Sequence, residues 1–297
     1  MKNVKLKENN FKEILKKAQE EKFAIGAFNF STLEQLRAIF EAANILKSPI
    51  IVQTSQNEAN FLGIDLIVEA VKVFRERYNV SAFLNLDHGK EIGIIKQAIN
   101  SGYDMVQFDG SNLSFEENLT KTKEVVDYAH HCGVLVEGEL GYLRGSSNMY
   151  EETPFVSEND YTDPKKAKEF VGKTDVDFLA ISVGNIHGAL RSRKNNPPLD
   201  IDRIQEINSR LKNTFLVLHG GSGTSEDDLK QAISAGIVKI NVNTDLRNVY
   251  TKALRTELQK NKEQIVPYKY LKEPINKLRE TIKYKIQLFR SNNKAVH

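Results

Sequence analysis

Leu84-Asn85-Leu86-Asp87-His88-Gly89 is the stretch from which the rest of the chain is best approached. An apolar, strand-like run from Ala82 to Leu86 ends in a carboxylate, an imidazole and a glycine. Carboxylate and imidazole serve as acid, base or metal ligand, and glycine lets the backbone turn sharply beside them. Two further runs close in the same way. Phe178 to Val183 leads into Gly184-Asn185-Ile186-His187-Gly188, and Phe215 to Leu218 leads into His219-Gly220-Gly221-Ser222-Gly223. Three of the chain's six histidines therefore sit just past a predicted strand, each followed by glycine.

Working outward, short apolar runs recur at about 23–28, 50–53, 82–86, 105–108, 134–139, 178–183, 215–218 and 237–240. A helical pattern follows each one, as in Leu33, Leu36, Ile39, Ala43 and Leu46, for which Ser31 or Thr32 is the expected cap, with Glu34 at the capping-box offset from Ser31. Strands separated by helices are parallel, because a parallel pair needs a crossover. Eight such units predict a (β/α)8 barrel of the TIM type rather than an open sheet. The polar residues fall where that architecture puts a site. Asn29, Ser55, Asp87, His88, Asp109, Glu139, His187, His219, Asn241 and Asn243 all stand at or just after C-terminal strand ends, which converge on one mouth in a barrel. Residues 1–297 read as a single catalytic domain, opened by a helix at about 9–21. Two stretches fall outside the alternation: an aperiodic segment at about 142–162, and a Lys-rich helical extension at about 260–297 with a helix near 273–290 and an expected frayed end.

Composition agrees with a soluble globular protein. At 297 residues and 40% hydrophobic content the chain can bury a full core, and its net charge of +3 is too small to argue for nucleic acid while suiting an anionic substrate. One cysteine, Cys132, excludes an internal disulfide and fits a reducing compartment. The start of the sequence, Met1 to Lys7, lacks an apolar signal core, and no run of about 18 apolar residues occurs, so a cytoplasmic location is expected.

Three neutral imidazoles on separate strands are a usual catalytic zinc set that leaves positions open for substrate. The bland alternative is three unrelated core or capping histidines. Asp87 adjoins His88 but should point the other way along a strand, which suits an acid/base group beside the metal better than a ligand; a helix cap is the alternative. Asp109 and Glu139 either form a second metal position, orient a metal-bound histidine, or pair with a lysine at the barrel mouth. Gly220-Gly221-Ser222-Gly223 and Asn241-Val242-Asn243-Thr244 follow strands 7 and 8, the usual barrel phosphate site, where glycines admit backbone N–H groups to the oxygens.

Taken together, Ala27-Phe28-Asn29, Leu86-Asp87-His88-Gly89, Phe108-Asp109-Gly110-Ser111, Val136-Glu137-Gly138-Glu139-Leu140-Gly141, Gly184-Asn185-Ile186-His187-Gly188, Leu218-His219-Gly220-Gly221-Ser222-Gly223 and Lys239-Ile240-Asn241-Val242-Asn243-Thr244 resemble the class II, metal-dependent ketose-bisphosphate aldolases over about residues 9–290. The resemblance implies a zinc-type divalent ion on His88, His187 and His219, with Asp109 and Glu139 as its alternative or second position. It makes Asp87 the proton donor/acceptor at the hydroxyl next to the scissile bond. Gly188, Gly220, Gly221, Ser222, Asn241, Val242, Asn243 and Thr244 would hold dihydroxyacetone phosphate, with Asn29 and Ser55 as further substrate contacts. A monovalent cation (Na+ or K+) near the phosphate and a homodimer or homotetramer are also implied. Fructose 1,6-bisphosphate is the expected substrate, with tagatose 1,6-bisphosphate or another phosphorylated ketose next. The sequence departs from the family after Glu139: the usual glycine pair followed by acid is replaced by Leu143-Arg144-Gly145-Ser146-Ser147-Asn148, and acid returns at Glu151-Glu152. Either glutamate is a candidate for exchanging the dihydroxyacetone phosphate proton, and Arg144 for reading a second phosphate. Two rivals stand beside this reading, a metal-dependent barrel hydrolase and a non-catalytic sugar-phosphate binder. The first lacks its His-x-His signature on strand 1, where Asn29 stands.

Overall fold

The computed structural model describes residues 2–191 and 196–295, with side chains from Phe11 onward. The elements run α1 (Lys2–Glu21), β1 (Ile25–Asn29), α2 (Leu33–Leu46), β2 (Ile50–Ser55), α3 (Gln56–Leu62), α4 (Ile64–Tyr78), β3 (Ala82–Gly89), α5 (Ile92–Ser101), β4 (Met105–Phe108), α6 (Phe115–His131), β5 (Leu135–Leu140), β6 (Gly145–Tyr150), α7 (Pro164–Thr174), β7 (Phe178–Ile181), β8 (His187–Leu190), α8 (Ile201–Arg210), β9 (Phe215–Leu218), α9 (Glu226–Ala235), β10 (Ile237–Val242), α10 (Thr244–Lys260), α11 (Pro267–Tyr270) and α12 (Lys272–Leu288). Eight strands close a parallel barrel in the order β1-β10-β9-β7-β5-β4-β3-β2. They are the eight apolar runs of the sequence.

The barrel interior is built in layers, because side chains two apart on a strand share a face. At the lower end Ile51, Phe83, Met105 and Leu135 point inward and meet Phe11, Ile14, Leu15 and Ala18 of α1. These four recur at helical spacing, so one face of α1 plugs the barrel floor; Phe11 stacks on Phe83 at 3.6 Å between ring centroids. Two residues further up the same strands stand Gln53, Asn85, Gln107 and Glu137, all fully buried. Two further still come Ser55, Asp87, Asp109 and Glu139, at the mouth. The opposite faces of the strands pack Val52, Leu84, Leu86, Val106 and Val136 against the helices.

Several local expectations change. Helix α1 starts at Lys2 rather than near residue 9. Thr32, not Ser31, caps α2, accepting from Gln35 N; Ser31 instead uses its backbone N–H on the Gln35 side chain. The aperiodic stretch after residue 142 contains β6, whose polar, half-exposed residues pair in parallel with β8 outside the barrel. Helix α12 packs on α2 and α10, and the tail beyond it is not frayed over the described residues: Asn293 and Ala295 donate backbone hydrogen bonds to Leu46 and Lys47. No helix of the described residues is long and apolar enough to cross a membrane.

At the floor, beside a cavity of about 670 Å3, His130 shares a hydrogen bond with Asp177 at 2.8 Å. That bond, working against partial burial, raises the imidazole above its ordinary range. The pair therefore stabilises the fold fully at pH values where the unfolded imidazole is also protonated, and fades as pH rises through the folded value. Replacing His130 with Gln should lower stability by about 1 kcal/mol near pH 6 and by clearly less near pH 9. Thermal melts at the two pH values check this; an equal loss at both removes the charge from the account.

Candidate active site

Strand β3 does not end as a regular strand. His88 has a left-handed backbone (φ 51°), and the register to β4 shifts between Leu86 and Gly89. Such a bulge re-aims side chains. It explains why Asp87 and His88 both face the mouth, against the alternation expected from sequence: Asp87 Oδ1 and His88 Nε2 are 4.0 Å apart. Two features hold the bulge. The Gln107 side chain accepts the His88 N–H at 2.9 Å, and Gly89 lies so close to β4 that a Cβ there would come within 2.6 Å of the Gln107 carbonyl oxygen.

The three histidines meet. One ligating nitrogen from each of His88, His187 and His219 lies within 4.8 Å of the others. His88 Nε2 and His219 Nδ1 are 3.2 Å apart, close to the roughly 3.3 Å between two ligands of a tetrahedral ion with bonds near 2.0 Å. Each of these two rings gives its other nitrogen to a carboxylate. His88 Nδ1 lies 3.0 Å from Asp109 Oδ2, and His219 Nε2 lies 2.8 Å from Glu137 Oε1. Such partners fix the tautomer and ring plane of a metal-binding histidine, so the residues present fit a divalent cation. Asp109 therefore orients His88, while His88, Asp109 and Glu139 also form a second group with ligand atoms within 4.8 Å of one another.

Charge follows this geometry. Burial opposes a charged His88, but Asp87, Asp109 and Glu139 outweigh it and lift the imidazole to about 10. His187 goes the other way, pushed well below its ordinary range by burial and by His88 and His219. Burial, aided by Asp109, raises Glu139 to about 8. Glu137, although fully buried, is held down at about 2 by Lys239 and His219; Lys239 Nζ is 2.5 Å from it.

Asp87 is clamped through both oxygens. Asn241 Nδ2 donates to Oδ1 at 3.0 Å and Asn29 Nδ2 to Oδ2 at 3.1 Å. Gln53 in turn donates to Asn29 Oδ1 at 2.7 Å. These bonds fix where the carboxylate points.

A narrow cavity of about 20 Å3 joins Asp87, His88 and His187 to Asn29, Gly188, Gly220, Ser222, Asn241, Asn243 and Thr244. Beside it a second cavity of about 290 Å3 exposes Lys90, Asp109, Glu139 and Tyr142. Ser147 of β6 lines both. Six expected residues are placed elsewhere. The Val242 side chain lies in the core between strands and helices, as alternation along β10 requires. Gly221 sits against Ile240 and the Asn241 carbonyl rather than on the cavity. Ser55 spends its hydroxyl capping α3 in a reciprocal bond with Glu58. Glu151 is exposed on an ion pair with Arg191 at 3.1 Å, and neither it nor Glu152 reaches the cavities. Arg144 is likewise committed, in two bonds of 2.9 and 2.7 Å to Asp160.

With this geometry in hand, known proteins agree with it. Residues 9–294 match the family model described as "Fructose-bisphosphate aldolase class-II". The chain belongs to the class-II fructose-bisphosphate aldolase family. Among relatives, a fructose-bisphosphate aldolase of Helicobacter pylori is 38% identical, covering 95% of this chain and 98% of that one. A sulfofructosephosphate aldolase of Alkalicoccus urumqiensis is also 38% identical, covering 96% and 97%. The crystal structure of the YdjI aldolase from Escherichia coli K12 superposes with a TM-score of 0.81 at 30% identity, over 96% of this chain and 98% of that one. Family membership makes the chain a metal-dependent lyase and sets the barrel hydrolase aside.

Sequence reasoning missed Gln53, Asn85, Gln107, Glu137, Lys239, Glu58 and Asn196. Five of them carried a signal: each is a polar residue inside an apolar strand, two positions before a mouth residue. The Glu137–Lys239 pair can be tested without leaving a buried charge unpaired. Glu137→Leu with Lys239→Met should fold, yet lower divalent-cation affinity by about 10- to 100-fold through loss of His219 orientation. Cation titration beside a thermal melt measures both; unchanged affinity would show that Glu137 does not orient His219.

Proposed function

We propose that this chain is a zinc-dependent aldolase that cleaves and forms a phosphorylated ketose, with fructose 1,6-bisphosphate as substrate and dihydroxyacetone phosphate and glyceraldehyde 3-phosphate as products. The observation that carries the reading is the doubly clamped Asp87 carboxylate 4.0 Å from the ring of His88, within the three-histidine cluster. Those histidines would hold the ion, which when bound supplies a Lewis acid for the oxygen that gains charge as the carbon–carbon bond breaks.

Asp87 takes the proton of the C4 hydroxyl while the C3–C4 bond breaks; the C4 oxygen becomes the aldehyde carbonyl, the bonding pair passes to C3 of the three-carbon fragment, and C3 takes up one proton in exchange to give dihydroxyacetone phosphate. In condensation Asp87 returns that proton. Asn29 and Asn241 hold the carboxylate in place during both directions. Gly188, Gly220, Ser222, Asn243 and Thr244 suit the phosphate, with the start of α10 adding favourable potential. Among the described residues the Asn241 and Asn243 side-chain oxygens are buried without a protein partner, which supports substrate hydroxyls or a monovalent cation beside this site. We read residues 1–297 as one catalytic unit, working in the cytoplasm as a homodimer or homotetramer. Phe61, Phe155 and Ile265, exposed at 78%, 83% and 84%, are apolar surface that association would cover. Tagatose 1,6-bisphosphate or another phosphorylated ketose is the second reading, favoured by the sulfofructosephosphate aldolase relative.

Cleavage of fructose 1,6-bisphosphate should be lost with a chelator and return with zinc. Asp87→Asn should lower kcat by about 10²- to 10⁴-fold while the bound cation stays. A substrate panel that includes the C4 epimer decides between the two ketoses, and a cation-loaded protein that cleaves none of them is a binder only. Because Glu151 and Glu152 stand outside the cavities, their joint replacement by Gln should leave tritium exchange from dihydroxyacetone phosphate within about twofold. Abolished exchange would put one of them back on the reaction path.

A further inference from the structure

We propose that Asn196 is a positioning residue that locks the two phosphate loops and the β6 segment into one frame; this rests on the assignment of those loops to a substrate phosphate. Asn196 is 4% exposed. Its single side-chain amide nitrogen donates to the Gly188 carbonyl and to the Ser222 carbonyl, both at 3.0 Å. Its backbone N–H donates to the Gly223 carbonyl at 2.8 Å. One residue thus ties the segment bearing His187 and Gly188 to the loop that follows β9.

Among the described residues its side-chain oxygen has no protein partner although it is buried. An unpartnered buried acceptor is unfavourable, so what the position uses is the two-donor NH2 group. Aspartate there would set a carboxylate against two carbonyl oxygens, and alanine would leave both carbonyls without their donor.

The tie extends in two directions. Gly188 is pressed between Asn196 and β6: a Cβ on it would stand 2.4 Å from the Asn148 carbonyl oxygen and 2.8 Å from that of Ser146. Ser222 on the other side accepts from the Asp245 N–H at 3.1 Å, in the first turn of α10. The position of β6, and with it Ser147, is therefore coupled to the backbone around the phosphate through one carboxamide.

The test uses full-length, zinc-loaded enzyme with Asn196→Ala, Asn196→Asp and Asn196→Ser. For Ala and Asp, KM for fructose 1,6-bisphosphate and the inhibition constant of inorganic phosphate should rise together by about tenfold, with kcat within about threefold and cation affinity unchanged. Asn196→Ser keeps one donor and should fall between; it carries the comparison if the alanine variant does not fold. Unchanged KM and phosphate inhibition, or a fall in kcat and cation affinity with KM unmoved, would overturn the positioning role. Wild-type enzyme that binds neither inorganic phosphate nor dihydroxyacetone phosphate would instead overturn the phosphate-loop assignment beneath it.

Discussion

A carboxylate buried in the middle of the barrel, Glu137, is the constraint on which the site depends. It lies between Lys239 and His219, and all three are essentially inaccessible. Removing such charges from water is costly, and their attraction does little more than offset that cost. What the pair contributes is direction. With His219 Nε2 engaged by Glu137, Nδ1 is the nitrogen turned toward His88. Asp109 plays the matching part for His88 through the opposite ring nitrogen. The cluster is thus set by groups beneath and beside the imidazoles, before any cation arrives.

The same logic runs through the interior layer. Gln53 fixes Asn29, which fixes Asp87; Gln107 fixes both the His88 backbone and Glu139, the latter through a bond of 2.6 Å. Asn29, the His88 backbone, Glu139 and His219 are each held by a polar residue of the layer below. An all-apolar barrel would pack more cheaply, since buried amides gain little net free energy even when bonded. The polar layer is the cost of holding side chains still at the end of a strand, where the backbone alone leaves a rotamer free.

The barrel was legible in the sequence because eight apolar runs and their helices repeat, and burial on both faces of a parallel strand leaves a continuous apolar signal, as in Phe178 to Ile181. His88, His187 and His219 were legible because glycine marks the turn after each. What escaped did so for physical reasons. The period-two argument placed Asp87 and His88 on opposite faces, and the positive φ at His88 cancels it. Strand β6 is polar and lies outside the barrel, so no hydrophobic period announces it. Asn196 acts through carbonyl oxygens, which every residue possesses, and its partners therefore leave no trace in side-chain identity. Val242, by contrast, was a motif member carried along by neighbours; alternation along β10 sends it into the core while Asn241 and Asn243 face the cavity.

In the proposed reaction proton transfer and charge stabilisation are separate tasks, and the fold would keep them separate on adjacent residues. Were Asp87 to ligate the ion, the cation would hold its carboxylate ionised and blunt it as a base. Two amide donors occupy its oxygens instead, which leaves lone pairs for a substrate hydroxyl. The bulge at His88 brings that carboxylate within 4.0 Å of the imidazole without placing it among the three-histidine ligand atoms. A regular strand end would turn one of the two residues away from the mouth, and the site would keep its cation or its base, but not both.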